Sequence, residues 1–301
     1  MALVLCISVG ARAEDFIGTR PLGMGNAYRA IVTGNDAIFL NPAGMAALTS
    51  YSLEAEYLIT PKFGSKATPS AKFGTTDGPT DHVIQASAID NSIAQIFATG
   101  IAYTRVQRGN DKSGNRYDLA FAVPLSSKLF IGLDTTYLDF NEFGKKNAVR
   151  AITLSVGALV RTSFGLSVGV VGYNLTNTAD YLEHPISMGA AVMFAPFRTL
   201  ELAFDFLVNF QKPVDPLQPS ADQRVGYSYN VGIEYLLVDQ LVVRGGYSYD
   251  QTSPYGNAHM VAAGLGYVSS ALTIDFGYRG SPSRNFGHVF GITLRFLLQS
   301  K

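Results

Sequence analysis

The sequence predicts an all-β protein: a 14-stranded antiparallel transmembrane β-barrel whose N-terminal segment folds back into the lumen as a plug, or hatch. Three observations predict it. Past the first ten residues no apolar run approaches the ~20 residues that a membrane-crossing helix needs, although 47% of the 301 residues are hydrophobic. From Ser50 onward, segments of nine to fourteen residues alternate bulky apolar side chains with small or polar ones, the period of a strand held between two unlike environments. The connections between these segments alternate long and short, which a membrane barrel with turns at one end and loops at the other requires. A soluble sandwich or propeller gives no reason for it.

The order of the chain supports three units: residues 1–13, 14–49 and 50–301. Met1 to Gly10 is apolar and Ala11-Arg12-Ala13 is a small-x-small cleavage pattern, so 1–13 reads as a signal peptide. It lacks a basic start, as a segment truncated at its beginning would, and the mature chain begins at Glu14. The single cysteine, Cys6, lies in that segment behind Leu5, which is not the small residue that lipidation requires. The mature chain therefore has no thiol for disulfides, thiolate metal sites or nucleophiles. Lys and Arg number 23, as do Asp and Glu, so nothing in the net charge of zero marks a nucleic-acid partner.

The strand-like segments run Ser50 to Phe63, Asp81 to Asp90, Ala94 to Val106, Asn115 to Val123, Lys128 to Phe140, Val149 to Val160, Phe164 to Tyr173, Pro185 to Phe194, Thr199 to Val208, Tyr227 to Leu237, Gln240 to Tyr249, His259 to Val268, Ala271 to Arg279 and Gly287 to Leu298. Long connections are Gly64 to Thr80, Gln107 to Gly114, Asn141 to Ala148, Asn174 to His184, Asn209 to Gly226, Asp250 to Ala258 and Gly280 to Phe286. Short ones are Asn91 to Ile93, Pro124 to Ser127, Arg161 to Ser163, Ala195 to Arg198, Val238 to Asp239 and Ser269 to Ser270. An even number of strands puts both termini at the short-turn end, which in an outer-membrane barrel is periplasmic.

Parity separates two faces. Leu200, Leu202, Phe204 and Phe206 oppose Glu201, Ala203 and Asp205. Leu272, Ile274, Phe276 and Tyr278 oppose Thr273, Asp275, Gly277 and Arg279. A basic residue on the lipid face at mid-bilayer costs ~2 to 4 kcal/mol, so charges belong in the lumen. Glu201, Asp205, Glu234, Arg244, Asp275, Arg279 and Arg295 form the expected lumen charge set, either bracing wall and plug or anchoring a ligand carboxylate. Glycines recur on the same face: Gly100, Gly132, Gly157, Gly169, Gly189, Gly232, Gly246, Gly277 and Gly291. They either make room for something that fills the bore or relieve curvature.

The last segment, with Gly291, Leu294 and Phe296, resembles the C-terminal signal read by the barrel-assembly machinery; an ordinary edge strand would read the same way, and Leu297 to Lys301 overhang it. His82, His184, His259 and His288 all fall at segment ends with no nucleophile marked beside them, and neither a phosphate loop nor a calcium loop is present. No enzyme, metal or cofactor is indicated.

Glu14 to Ala47 does not alternate; it reads as glycine turns with two short helical pieces. Asn41 before Pro42 is held extended, with its amide available to neighbouring backbone, which suits a compact knot in a pore. The run Gly23-Met24-Gly25-Asn26-Ala27-Tyr28, then Asn35-Asp36-Ala37, then Asn41-Pro42-Ala43-Gly44-Met45 resembles the N-terminal hatch of the FadL/TodX family of outer-membrane transporters for hydrophobic molecules. Barrels of the PorV type resemble this segment as well. The resemblance implies a plug or gate made by Gly23, Gly25, Asn26, Tyr28, Asp36, Asn41, Pro42 and Ala43. It also implies an outer-membrane location among lipids, and passive transport of hydrophobic or amphipathic, fatty-acid-like small molecules. The PorV-like alternative is a partner-binding barrel that anchors or shuttles secreted surface proteins, for which the loop Asn209 to Gly226 would matter more than the bore.

Overall fold

The computed structural model describes residues 18–32, 34–47, 51–61, 80–91, 96–108, 112–142, 149–176, 185–210, 225–251, 258–282 and 288–298. Fourteen strands form one closed antiparallel barrel: β1 Tyr51–Thr60, β2 Asp81–Asp90, β3 Ala98–Arg108, β4 Lys112–Pro124, β5 Leu129–Glu142, β6 Val149–Arg161, β7 Leu166–Tyr173, β8 Ser187–Phe197, β9 Leu200–Asn209, β10 Gly226–Val238, β11 Leu241–Asp250, β12 Ala258–Val268, β13 Leu272–Gly280 and β14 Val289–Leu298. Each strand pairs with its sequence neighbours, and β14 returns to β1 in register from Tyr51↔Leu298 to Ile59↔Phe290. Closure leaves no unpaired edge, the condition for a sheet in hydrocarbon.

Burial alternates residue by residue, as in β8 and β10. Outward residues are large and apolar and stay exposed, among them Leu53, Ile101, Leu133, Phe204, Ile233, Phe276 and Ile292. So wide an apolar exterior has no place in water and is the lipid face of a transmembrane barrel. Inward residues are small or polar, and the hydrophobic core is built between them and the N-terminal segment. That segment forms α1 Thr19–Gly23, α2 Ala37–Leu40 and a 3-10 helix Pro42–Ala47, nearly every residue of which is buried. It lies inside the barrel.

The structure corrects the sequence reading at several connections. The loop expected from Gln107 to Gly114 is a tight hairpin, with Gln107↔Ser113 and Arg108↔Lys112 paired and only residues 109–111 between the strands. Polar residues pair there as apolar ones do, so polarity does not report the end of pairing. Conversely, β3 begins at Ala98 and not at the expected Ala94, and the Asn91 amide at the end of β2 donates to Met45 O in the plug. Loop length therefore does not alternate strictly. β5 runs on to Glu142, and β8 runs to Phe197 through a register shift between Phe194 and Phe197. A third helical piece, the 3-10 turn, joins the two expected in the plug. The expected signal peptide 1–13, with Cys6, lies outside the described residues, as does His184.

Candidate functional site

The plug meets the wall at a belt of glycines. A Cβ on Gly132 would overlap the backbone of Pro42 and Ala43, on Gly157 the Asn41 side chain, on Gly246 the backbone of Met24 and Gly25, and on Gly277 the Thr19 carbonyl. Gly100, Gly169, Gly189, Gly232 and Gly291 face Met45, Arg29, Arg29, Met24 and Thr19 in the same way. Several sit side by side across strands: Gly132↔Gly157, Gly232↔Gly246 and Gly277↔Gly291. The inner-face glycines thus provide space for the plug backbone, the first of the two explanations left open by the sequence. The chain turns at Gly25 and Asn26, both left-handed with φ of 62° and 72°, where Gly25 is pressed against the backbone at Tyr247.

On the side formed by β9 to β14 and β1, the plug is held by ions. Arg20 of α1 makes a bidentate pair with Glu234 at 2.6 and 2.9 Å. Arg244 bridges Glu234 and Asp275, each at 2.6 Å. Arg295 donates to Glu54 at 2.6 Å and lies 3.7 Å from Asp36 of the plug. The Thr19 N–H and the Thr293 hydroxyl donate to Glu56 at 2.5 and 2.8 Å. Asp205 accepts from the N–H groups of Tyr28 and Arg29, both at 3.0 Å, and pairs with the Arg29 guanidinium at 3.1 Å. Buried charges at this depth persist only when paired and hydrogen-bonded. Burial pushes the carboxyl of Asp36, in the plug rather than the strands, up to about 7, with Glu54 adding to the rise and Arg295 opposing it.

On the other side, from β3 to β7, contact is by packing. Ile38 and Met45 lie against Gly100, and the 3-10 helix rests on β4, β5 and β6. Asn41 is extended at φ −162° before Pro42, as the dipeptide requires. Its amide donates to the carbonyls of Arg29 at 3.1 Å and Ala158 at 3.2 Å, and its Oδ1 accepts from Ala43 N–H at 3.3 Å. Tyr173 donates to Leu40 O and accepts from Arg29 Nε at 2.8 Å.

Beyond the plug toward the long-loop end, β2 to β5 carry a polar group of Gln85, Thr104, Arg116, Asp118, Asp134 and Thr136, with Arg116 paired to Asp118 at 2.7 Å and lying over the plug's Phe39 at 5.1 Å. Above this group, Val83, Val106, Leu138, Phe140 and Ala151 form an apolar cluster that faces the lumen. Outside the barrel, over the Gly132–Gly157 pair, an apolar groove of about 570 Å³ is lined by Phe121, Ile131, Val156, Val170 and Met188. Its floor and the plug's Asn41 to Ala43 are separated by backbone alone. The wall there is also least paired: β7 has eight residues and meets β6 only from Val156↔Gly172 to Arg161↔Ser167.

Of the expected lumen charges, Asp205, Glu234, Arg244, Asp275 and Arg295 are brought into the ion pairs above. Glu201 faces Glu234 across the β9–β10 ladder, and Arg279 is buried near the long-loop end of β13. Gly291 meets Thr19 inside, while Leu294 and Phe296 face out. Sequence reasoning missed Arg20, Arg29, Glu54, Glu56 and the Arg116–Asp118–Asp134 group. Parity would have found the β1 pair, since Glu54 and Glu56 oppose Leu53, Ala55 and Tyr57. The plug arginines have no periodic signal.

No family model and no curated protein matches the chain. Solved structures do. A FadL homologue from Pseudomonas aeruginosa is 13% identical at a TM-score of 0.63, over 93% of this chain and 98% of that one. The CymD monoaromatic hydrocarbon channel gives 14%, 0.70, 94% and 98%, and the toluene transporter TbuX of Ralstonia pickettii 12%, 0.69, 95% and 98%. At this identity the likeness is one of fold, and it agrees with the resemblance carried by the hatch residues.

Proposed function

We propose that the protein is a passive outer-membrane channel for hydrophobic or amphipathic small molecules, with residues 14–49 as its gate and 50–301 as its barrel. The long-loop end faces outward and both termini face the periplasm. The observation that carries this reading is the apolar cluster Val83, Val106, Leu138, Phe140 and Ala151 at the outward end of the lumen, where a porin for polar solutes presents polar side chains. Cargo collects there, displaces the plug from its apolar side, and leaves sideways at the thin wall of Gly132 and Gly157 or downward past the plug. The solved structures of like fold are described as a FadL homologue and as hydrocarbon or toluene transporters, and the apolar mouth supports the same class of cargo. No energy source is involved. The assembly machinery would recognise β14 through Gly291, Leu294 and Phe296.

Uptake of a radiolabelled aromatic hydrocarbon and of a long-chain fatty acid by cells with and without the protein tests this. Faster initial uptake of at least one is expected, and slower uptake in Phe140→Asp. Equal uptake with and without the protein overturns it, and a surface protein co-purifying one to one with an empty lumen would favour the partner-binding alternative.

A further inference from the structure

On the ion-paired side of the plug, one wall carboxylate takes two guanidiniums and its neighbour takes none. Glu234 of β10 accepts from Arg20 of the plug at 2.6 and 2.9 Å and from Arg244 of the wall at 2.6 Å. Glu201 of β9 stands directly opposite it in the ladder, on the same face. Among the described residues Glu201 makes no ion pair or hydrogen bond, and its Oε2 is buried without a partner. Arg161 donates to Ile31 O in the plug, and Arg244 is already shared between Glu234 and Asp275. Like charges at opposed positions repel, and a buried acceptor without a donor is costly. Bracing of the wall does not explain such a residue, because a brace would be paired.

The surroundings of Glu201 suit a partner that moves. A cavity of about 360 Å³ at the short-turn end is lined by Arg20 of the plug and by Glu201, Glu234 and Arg244 of the wall, with Arg198 exposed at its rim. Opposed positions on neighbouring strands are about 5 Å apart, so a turn of the Arg20 side chain within this space carries its guanidinium from one carboxylate to the other. The move strands no charge: Arg244 stays on Glu234, and Glu201 gains the donor it lacks. Both arrangements therefore contain the same number of ion pairs, which is the condition for a two-state element.

We propose that Glu201 is a second seat for Arg20, taken when the plug lifts, so that the gate slips one strand round the wall without losing its ion-pair anchor. The proposal rests on the reading of the plug as a gate. The test is maleimide labelling at Met45→Cys in the full chain in lipid vesicles without cargo, read on the peptide that carries the substitution. Met45 is buried against Gly100, so labelling reports lifting. Glu201→Gln is expected to slow it about fivefold, because the lifted state loses its anchor, and to change nothing in an Arg20→Gln background. Heat-dependent gel mobility checks that each variant is folded. Should Glu201→Gln not fold, Glu201→Asp keeps the charge on a shorter arm and slows labelling about twofold. The second measurement is the crystal structure of Glu234→Gln, in which Arg20 pairs with Glu201. Three results overturn the proposal: unchanged labelling in the folded Glu201 variant, slowing that persists with Arg20→Gln, or Arg20 away from Glu201 in the Glu234→Gln structure. Cargo uptake decides the transport reading separately. Equal uptake with and without the protein sinks that reading and leaves the labelling result standing, whereas labelling indifferent to Glu201 sinks the second seat and leaves uptake standing.

Discussion

The two halves of the barrel hold the plug by different physics. From β9 round to β1 the contacts are charge-assisted hydrogen bonds between arginines and carboxylates, directional and short. From β3 to β7 they are mainly van der Waals contacts on glycine, with hydrogen bonds at Asn41, Tyr173 and Arg161. Ion pairs in a low-dielectric interior resist separation, because pulling them apart strands a charge. Packing against glycine gives way more gradually. On the proposed gating, the plug would stay hinged on its charged side and lift from its apolar side, the side that also has the apolar mouth, the shortest strand and the lipid-facing groove.

The largest effect that could break this contrast is on the charged side. Arg244→Ala leaves Asp275 without its cation and Glu234 with only Arg20, and is expected to destabilise the protein by about 3–5 kcal/mol, read as a lower urea midpoint in lipid vesicles. A neutral result would mean that Arg244 is not what keeps Glu234 placed for the plug's Arg20. On the apolar side, Gly157→Leu drives a side chain into Asn41 and is expected to cost about 1–3 kcal/mol by overpacking. Here the plug should lift while the barrel stays closed, so maleimide labelling at Met45→Cys quickens with heat-dependent gel mobility unchanged. Asn41→Ala should cost about 1–2 kcal/mol through the loss of its hydrogen bonds to the carbonyls of Arg29 and Ala158, and should quicken the same labelling less.

The smallest effect concerns pH. Asp36 has its folded value raised to about 7, so the docked plug binds that proton more tightly than the unfolded chain does. Its contribution is fully present below the unfolded value of about 4 and is lost as pH rises through about 7. The urea midpoint of the parent should fall between pH 5 and pH 8 more than that of Asp36→Asn. A parallel fall in the two would show that Asp36 is not the group concerned.

Much of this wall is legible in the sequence because a membrane strand has two unlike sides, and parity alone places Asp205, Glu234, Arg244, Asp275 and Arg295 in the lumen. Strand ends are less legible. At the far ends of β3 and β4, polar residues such as Gln107 and Ser113 pair as well as apolar ones, so composition stops marking the boundary. The plug is legible as an exception to alternation, and Asn41-Pro42 as an extended pair. Its arginines are not: Arg20 and Arg29 find partners more than 140 residues away, through a path in three dimensions that no local period records.

Arg295 also bears on how the barrel closes. It belongs to the last strand, yet its guanidinium meets Glu54 of the first strand and Asp36 ahead of that strand. The barrel is shut only where β14 pairs with β1, and that seam carries a side chain which faces the N-terminal segment inside. The closing seam thus includes a residue that meets both the first strand and the enclosed segment. A chain whose N-terminal knot is misplaced would close with Asp36 absent from that guanidinium, so the seam is energetically coupled to what the cylinder encloses.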